Sequence, residues 1–178
     1  MWAERFDRDT ADLFALQDEV TRRIAVALNV ELIAAEAARP TEHPDASDYI
    51  FRGRAAGLRP WSREGYDEAI RMYQRALELD PTSAEAQSLL AVVLTSRVLG
   101  GVADSVTADI ARAEELVRQA LAASPRNSLA HFAKGQVLRA QHRYAEAIPA
   151  YETAIAFNSN SASAMFALGL CKLYMGLI

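Results

Sequence analysis

Between Tyr66 and Ser159 one arrangement of small and large apolar positions occurs three times. In YDEAIRMYQRALELDP (66–81), IARAEELVRQALAASP (110–125) and YAEAIPAYETAIAFNS (144–159), an alanine is followed four residues on by a large residue, three further on by a second alanine, and then by a helix stop. The matched positions are Ala69, Tyr73, Ala76 and Pro81, then Ala113, Val117, Ala120 and Pro125, then Ala147, Tyr151, Ala154 and Ser159. Steps of three and four residues put each set on one face of a helix. From Ala113 to Ala147 is 34 residues and from Ala69 to Ala113 is 44, so one insertion of ten residues accounts for the difference.

Upstream of each copy the pattern predicts a second apolar helix, marked by a small residue at Gly57, Ala91, Gly135 and Gly169. Small residues let helix axes approach, large ones fill the gap left, and proline stops the second helix. A 34-residue period built from such pairs resembles the tetratricopeptide repeat (TPR). The resemblance covers Ser47 to the C-terminus and implies an all-α solenoid of helical hairpins in a right-handed superhelix. Repeats are expected at about 50–83, 84–127 and 128–161, with a partial fourth at 162–178, so that residues 45–178 form the array. The slot that holds a tryptophan-like residue in the family holds Gly53, Gln87, His131 and Met165 here, so the repeats are degenerate. The ten extra residues are expected around LGGVADSVTAD, where Gly100 and Gly101 end one helix and Thr107 caps the next. Pro149 falls inside a predicted helix and should delay its start or kink it slightly.

Residues 1–44 do not follow the repeat. Leu13, Leu16, Val20, Ile24, Ala27 and Leu28 form one stripe of helical period, which predicts an amphipathic helix in need of a partner surface. The string WAERFDRDTADLFALQDEVTRRIAVAL resembles the junction before TPR arrays in bacterial class III adenylate cyclases and winged-helix transcriptional regulators. That resemblance implies a strand remnant at Trp2–Arg8, a helix over Asp12–Ala38, and a chain that is a fragment of a longer signalling protein, opening inside the strand and ending at LYMGLI. Cyclase metal-binding aspartates and a nucleotide-binding motif have no counterpart, so cyclase chemistry is carried over to no residue.

Composition narrows the function classes. Alanine alone contributes 35 of 178 residues, apolar residues make up 51 %, and Gly plus Pro are 8 and 6, which excludes a low-complexity or disordered chain. Nineteen basic residues against 23 acidic ones, the basic ones scattered, leave no electrostatic footprint for nucleic acid. The apolar run Leu89–Leu94 is far short of a membrane span, and MWAERFDRDT lacks the apolar core of an export signal, so a cytoplasmic location is expected. His43, His131 and His142 offer no pair at zinc-ligand spacing, and Cys171 has no neighbouring thiol. His131 is expected between helices and Cys171 as a small buried residue. No catalytic site, metal or cofactor is expected.

The expected function is therefore protein–protein interaction, because the concave face of a solenoid is where partners dock. By the family's geometry the groove-facing positions are Phe51, Arg54 and Leu58, then Ser88 and Val92, then Leu129, Phe132, Gln136 and Arg139, then Phe166, Leu170 and Tyr174. Arg54, Arg139, Phe132 and Tyr174 are expected together on the concave side. The family's clamp for chaperone C-termini needs lysines and asparagines where this chain has Leu58, Leu89, Leu129 and Ala133, which argues against such a ligand. Two alternatives to a regulatory binding module stand beside it: a self-association module, and the sensor region of a TPR-containing transcriptional regulator. The last helix carries Met165, Phe166, Leu168, Leu170, Leu173 and Tyr174 with no second helix after it, so it is expected to pair with another copy. The N-terminal stripe is expected to cap repeat one against Phe51 and Ile70.

Overall fold

The computed structural model describes residues 13–39, 44–57 and 62–177, with side chains from Leu16 onward. The strand expected at Trp2–Arg8, His43, Leu58 and the side chain of Leu13 lie outside the described residues. Among those described there are eight helices and no strand. They are α1 (Leu13–Ala38), α2 (Ala46–Gly57), α3 (Arg63–Leu79), α4 (Ala84–Leu99), α5 (Val106–Ala123), α6 (Ser128–Ala140), α7 (Tyr144–Phe157) and α8 (Ala162–Tyr174). α2 with α3, α4 with α5, and α6 with α7 form hairpins, each stacked on the next, while α1 lies on α2 and α8 on α7. No described helix is long and apolar enough to cross a membrane.

The repeated alanines explain the stacking. Ala69, Ala76, Ala113, Ala120, Ala147 and Ala154 all have 0 % exposure, each at a crossing where a larger side chain would hold the axes apart. Between each pair of alanines the large residue, Tyr73, Val117 or Tyr151, is buried too. Burial pushes the Tyr73 and Tyr151 phenols well above their ordinary pKa.

The partner of each tyrosine reveals a register different from the expected one in the first hairpin. A Cβ on Gly135 would lie 2.4 Å from the Tyr151 ring, so this glycine is the crossing point of α6 and α7. In the first hairpin the equivalent contact, 2.5 Å to Tyr73, belongs to Gly53 and not to Gly57, which has nothing within 4 Å. The hairpin accordingly begins at Ala46, one helical turn before the expected boundary at 50, and most of the difference is taken up by the earlier start of α3, ten residues before Tyr73 where α7 starts seven before Tyr151.

The ten-residue insertion is shared among three places. Relative to α6 and α7, helix α4 gains three residues, α5 gains four, and the connection between them gains three. Gly101, at φ +71°, supplies the left-handed turn after α4. The cap of α5 is Ser105, whose hydroxyl accepts from the Ala108 N–H, so the helix starts earlier than a Thr107 cap would allow. An ionic network fastens the inserted turn to the first hairpin. Arg97 donates through Nε and an η nitrogen to both oxygens of Asp109, at 2.9 and 2.7 Å, and through its other η nitrogen to Asp67 at 2.9 Å. Arg63 pairs with Asp104 in the inserted loop. α7 continues through Pro149 and starts one turn later than α3 and α5 do, measured from their shared alanine positions.

α1 departs from its expected role. It reaches α2, and Ile33 near its C-terminal end is buried, but Ile24, Val26, Leu28 and Leu32 are exposed. The reason is length. Its 26 residues make a rod of about 39 Å, whereas the 12 residues of α2 offer about 18 Å to lie against. The stripe read from Leu13 to Leu28 therefore runs past the hairpin it was expected to cover, and Leu16, Val20 and Ala27 are only half-buried.

Candidate protein-binding groove

The first helices of successive hairpins present their N-termini on one side, and a cleft of about 410 Å³ opens there between α4, α6 and α8. Leu129 and Phe132 supply its apolar wall, and Glu85, Asn127, Ser128, Asn158, Ser161 and Ser163 its polar rim. Phe132 is held in place by the Tyr151 ring behind it, with centroids 5.9 Å apart and planes tilted by 46°. Two rim asparagines are fixed by local backbone bonds, Asn127 as the cap of α6 and Asn158 in the turn after α7. Asn127 Oδ1 accepts from the Ala130 N–H and Asn158 Oδ1 accepts from the Asn160 N–H. With both oxygens spent on backbone, the side-chain NH₂ groups are what these asparagines can offer to the carbonyls of an extended segment.

The twelve expected groove positions divide. Leu129 and Phe132 line the cleft. Phe51, Val92 and Leu170 are half-buried, Val92 against the core cluster that joins α2 to α6. Ser88 and Gln136 are corrected: both are buried and spend their polar atoms inside the fold. The Ser88 hydroxyl donates to the Ala84 carbonyl at 2.6 Å, and Gln136 Oε1 accepts from the Tyr151 hydroxyl at 2.7 Å. Arg54, Arg139, Phe132 and Tyr174 do not form one exposed set. Arg54 is paired with Glu85 of α4, and the Tyr174 ring is stacked on Tyr144 at the start of α7, centroids 5.1 Å apart. Phe166 and Tyr174 are exposed, at 68 % and 67 %. Arg139 is half-buried. Leu58 is outside the described residues.

Sequence reasoning missed the polar rim, although a signal for it exists. The caps Ser83, Asn127 and Ser161 recur with the same spacings as the alanines, 44 and then 34 residues. A periodic cap brings polar side chains together at one edge of a solenoid as surely as a periodic alanine brings helices together.

The remaining chemistry is structural. His131 Nε2 donates to the Pro125 carbonyl at 2.9 Å, and its ring packs on Phe157 with centroids 5.4 Å apart. Cys171 has 0 % exposure, and burial pushes its thiol up. Among the described residues no group of three or more His, Cys, Asp and Glu is placed to hold a metal ion.

Comparison with known proteins agrees with this architecture. Residues 107–163 and 133–172 match a model described as tetratricopeptide repeat, and residues 62–95 match one described as TPR repeat. The chain belongs to the tetratricopeptide repeat family. Among solved structures, this TPR chain is similar to the Sgt2 TPR domain from Aspergillus fumigatus, with TM-score 0.57 and 22 % identity over 78 % of this chain and 85 % of that one. It is similar also to the first TPR domain of human RPAP3, with TM-score 0.57 and 20 % identity over 74 % and 92 %. At such identities the likeness speaks for the fold. In sequence it is 38 % identical over 125 residues to the "Putative adenylate cyclase 3" of Rhizobium meliloti (strain 1021), covering 66 % of this chain. The chain spans about a fifth of that relative's length, 21 %.

Proposed function

We propose that this TPR array is a non-catalytic interaction module that holds an extended protein segment in the cleft between α4, α6 and α8 and serves as a regulatory or scaffolding part of a bacterial signalling protein such as an adenylate cyclase. The observation that carries the reading is the cleft itself: an apolar wall of Leu129 and Phe132 beside asparagine amides whose oxygens are already spent. An apolar side chain would seat against the wall while its backbone carbonyls meet the amides. A cytoplasmic location fits a regulator of nucleotide signalling. The relative among the cyclases favours this attachment over a transcriptional regulator.

The test is selection of dodecapeptides from a displayed library against the chain, followed by titration of the selected peptides. Leu129→Ser and Phe132→Ala should each weaken binding about tenfold or more while leaving helicity unchanged, since each removes an apolar contact of roughly 1.5 to 3 kcal/mol. Equal affinity for wild type and both variants would place the binding surface elsewhere.

A second reading, self-association, is favoured by a specific observation on α8. Ala164, Ala167 and Cys171 face inward, while Met165, Phe166, Leu173 and Leu177 stay between 47 and 68 % exposed on the outer side. Two copies pairing through this face about a two-fold axis would cover it.

A further inference from the structure

Most arginines described near the solenoid's surface have an acceptor or a ring: Arg54 has Glu85, Arg97 has Asp67 and Asp109, Arg118 has Glu115, Arg143 has Glu146, and Arg52 lies over Tyr49. Arg139 is different. It is half-buried, its Nε is sealed from solvent, and that N–H meets no acceptor. A desolvated donor without a partner is a standing cost to the fold, which natural cores avoid unless something is gained elsewhere. The two η nitrogens are neither sealed nor hydrogen-bonded, so the free end of the guanidinium faces outward.

Its place on α6 connects this end to the cleft. Phe132, Gln136 and Arg139 follow one another at steps of four and three, hence along one stripe of the helix. Gln136 is closed off by the Tyr151 hydroxyl, which leaves Phe132 and Arg139 as the two side chains of that stripe open to a partner, about 10 Å apart along the axis. The positive charge also reaches the seam between α6 and α8, where it acts on the Tyr151 phenol and the Cys171 thiol.

We propose that the η nitrogens of Arg139 form a carboxylate subsite of the groove, taking one Asp or Glu side chain of a segment whose apolar residue seats beside Phe132. This rests on the groove reading above and adds the chemistry of the ligand. A planar guanidinium with both η nitrogens free matches the two oxygens of one carboxylate, and a single such fork selects an acidic side chain over its amide. About 10 Å is the reach of roughly three residues of extended chain, so the acidic and apolar residues of the ligand would stand about that far apart.

The probe is N-acetyl-glutamate amide, with N-acetyl-glutamine amide as its control, titrated into the isotope-labelled full chain while the arginine Nε–H resonances are recorded. A sealed Nε–H exchanges slowly and so remains visible. The expected result is a saturable shift of the Arg139 resonance with the glutamate compound, half-complete in the millimolar range, at least about fivefold weaker with the glutamine compound and weakened by salt. A parallel measurement on Arg139→Met separates ligand binding from a structural role at the C-terminal end of α6. Its unfolding midpoint should be unchanged or higher, because the unpartnered donor is gone. No saturable shift, equal shifts with both compounds, or a destabilised Met variant would each overturn the proposal. The groove reading is judged separately, by the selected peptides and the Leu129 and Phe132 variants, none of which depends on Arg139.

Discussion

Alanine in place of glycine should have opposite effects at positions that look alike in the sequence. At Gly135 the added Cβ would meet three carbons of the Tyr151 ring at 2.4, 2.6 and 2.7 Å. That ring has no room to retreat, since Tyr151 has 0 % exposure, leans on Phe132 and donates through its hydroxyl to Gln136. Overpacking of this kind costs about 1 to 3 kcal/mol. Loosening the buried hydrogen bond adds about 1 kcal/mol, and the better helix propensity of alanine returns roughly 0.5 to 1 kcal/mol. The net is a loss of about 2 kcal/mol for Gly135→Ala, or about 4 to 8 °C in the midpoint of a domain of this size. Gly53→Ala should behave alike, because its Cβ would lie 2.5 Å from Tyr73. Gly169→Ala, inside α8 with nothing within 4 Å, should instead gain roughly 0.5 to 1 kcal/mol. Thermal and urea unfolding followed by circular dichroism reads all three. Combining Gly135→Ala with Tyr151→Leu should cost less than the two single changes added together. A neutral or stabilising Gly135→Ala would refute the crossing geometry, and a damaging Gly57→Ala beside a harmless Gly53→Ala would restore the register expected from the sequence.

The other expectations concern the core, the insertion and the last helix. Ala120→Leu should overpack the α4–α5 crossing and lower stability by about 1 to 3 kcal/mol in urea unfolding, Ala120 having 0 % exposure. Arg97→Met should cost about 3 kcal/mol, since it strands Asp109, whose side chain is 8 % exposed, and Arg97→Met with Asp109→Leu should recover most of the loss. Sedimentation of the wild-type chain should show concentration-dependent dimers that Phe166→Asp with Leu173→Asp abolishes, and an unchanged weight for the double variant would exclude α8 as the interface.

The solenoid was legible because its strongest signal is chemical monotony: alanine at crossings has no substitute of equal size, and its spacing survives degeneration elsewhere. The register of the first hairpin was not legible. Gly53 and Gly57 stand four apart on one helix face, so either satisfies the pattern, and only the position of Tyr73 across the hairpin chooses between them. The cap of α5 was ambiguous for a similar reason, Asp104, Ser105 and Thr107 all being side chains that can cap. Groove positions transferred from the family failed where neighbouring elements close over the side chain, as at Ser88 and Gln136. α4 packs on α3, α5 and α6, which leaves Ser88 no open side, whereas Phe166 of α8 keeps its outer face free. The length of α1 was readable and its neighbour's was too, but the mismatch between them emerged only when the two were laid together.

Partner binding and self-association are linked by where they meet. Ser163 lines the cleft, and Phe166 follows it by three residues, so the two side chains are neighbours on α8. A second copy seated over Phe166 and Leu173 would stand within one helical turn of the cleft wall. If both the groove reading and the α8 pairing hold, a segment long enough to leave the cleft on that side collides with the second copy, and linkage then requires each event to weaken the other by the same factor. The expected outcome is that a peptide selected for cleft binding shifts the dimer toward monomer, measured by sedimentation at fixed chain concentration. Phe166→Asp with Leu173→Asp should bind the same peptide more tightly than wild type, by the factor through which dimerisation had opposed it. A peptide that binds through Leu129 and Phe132 yet leaves the dimer untouched would mean that the two faces act independently.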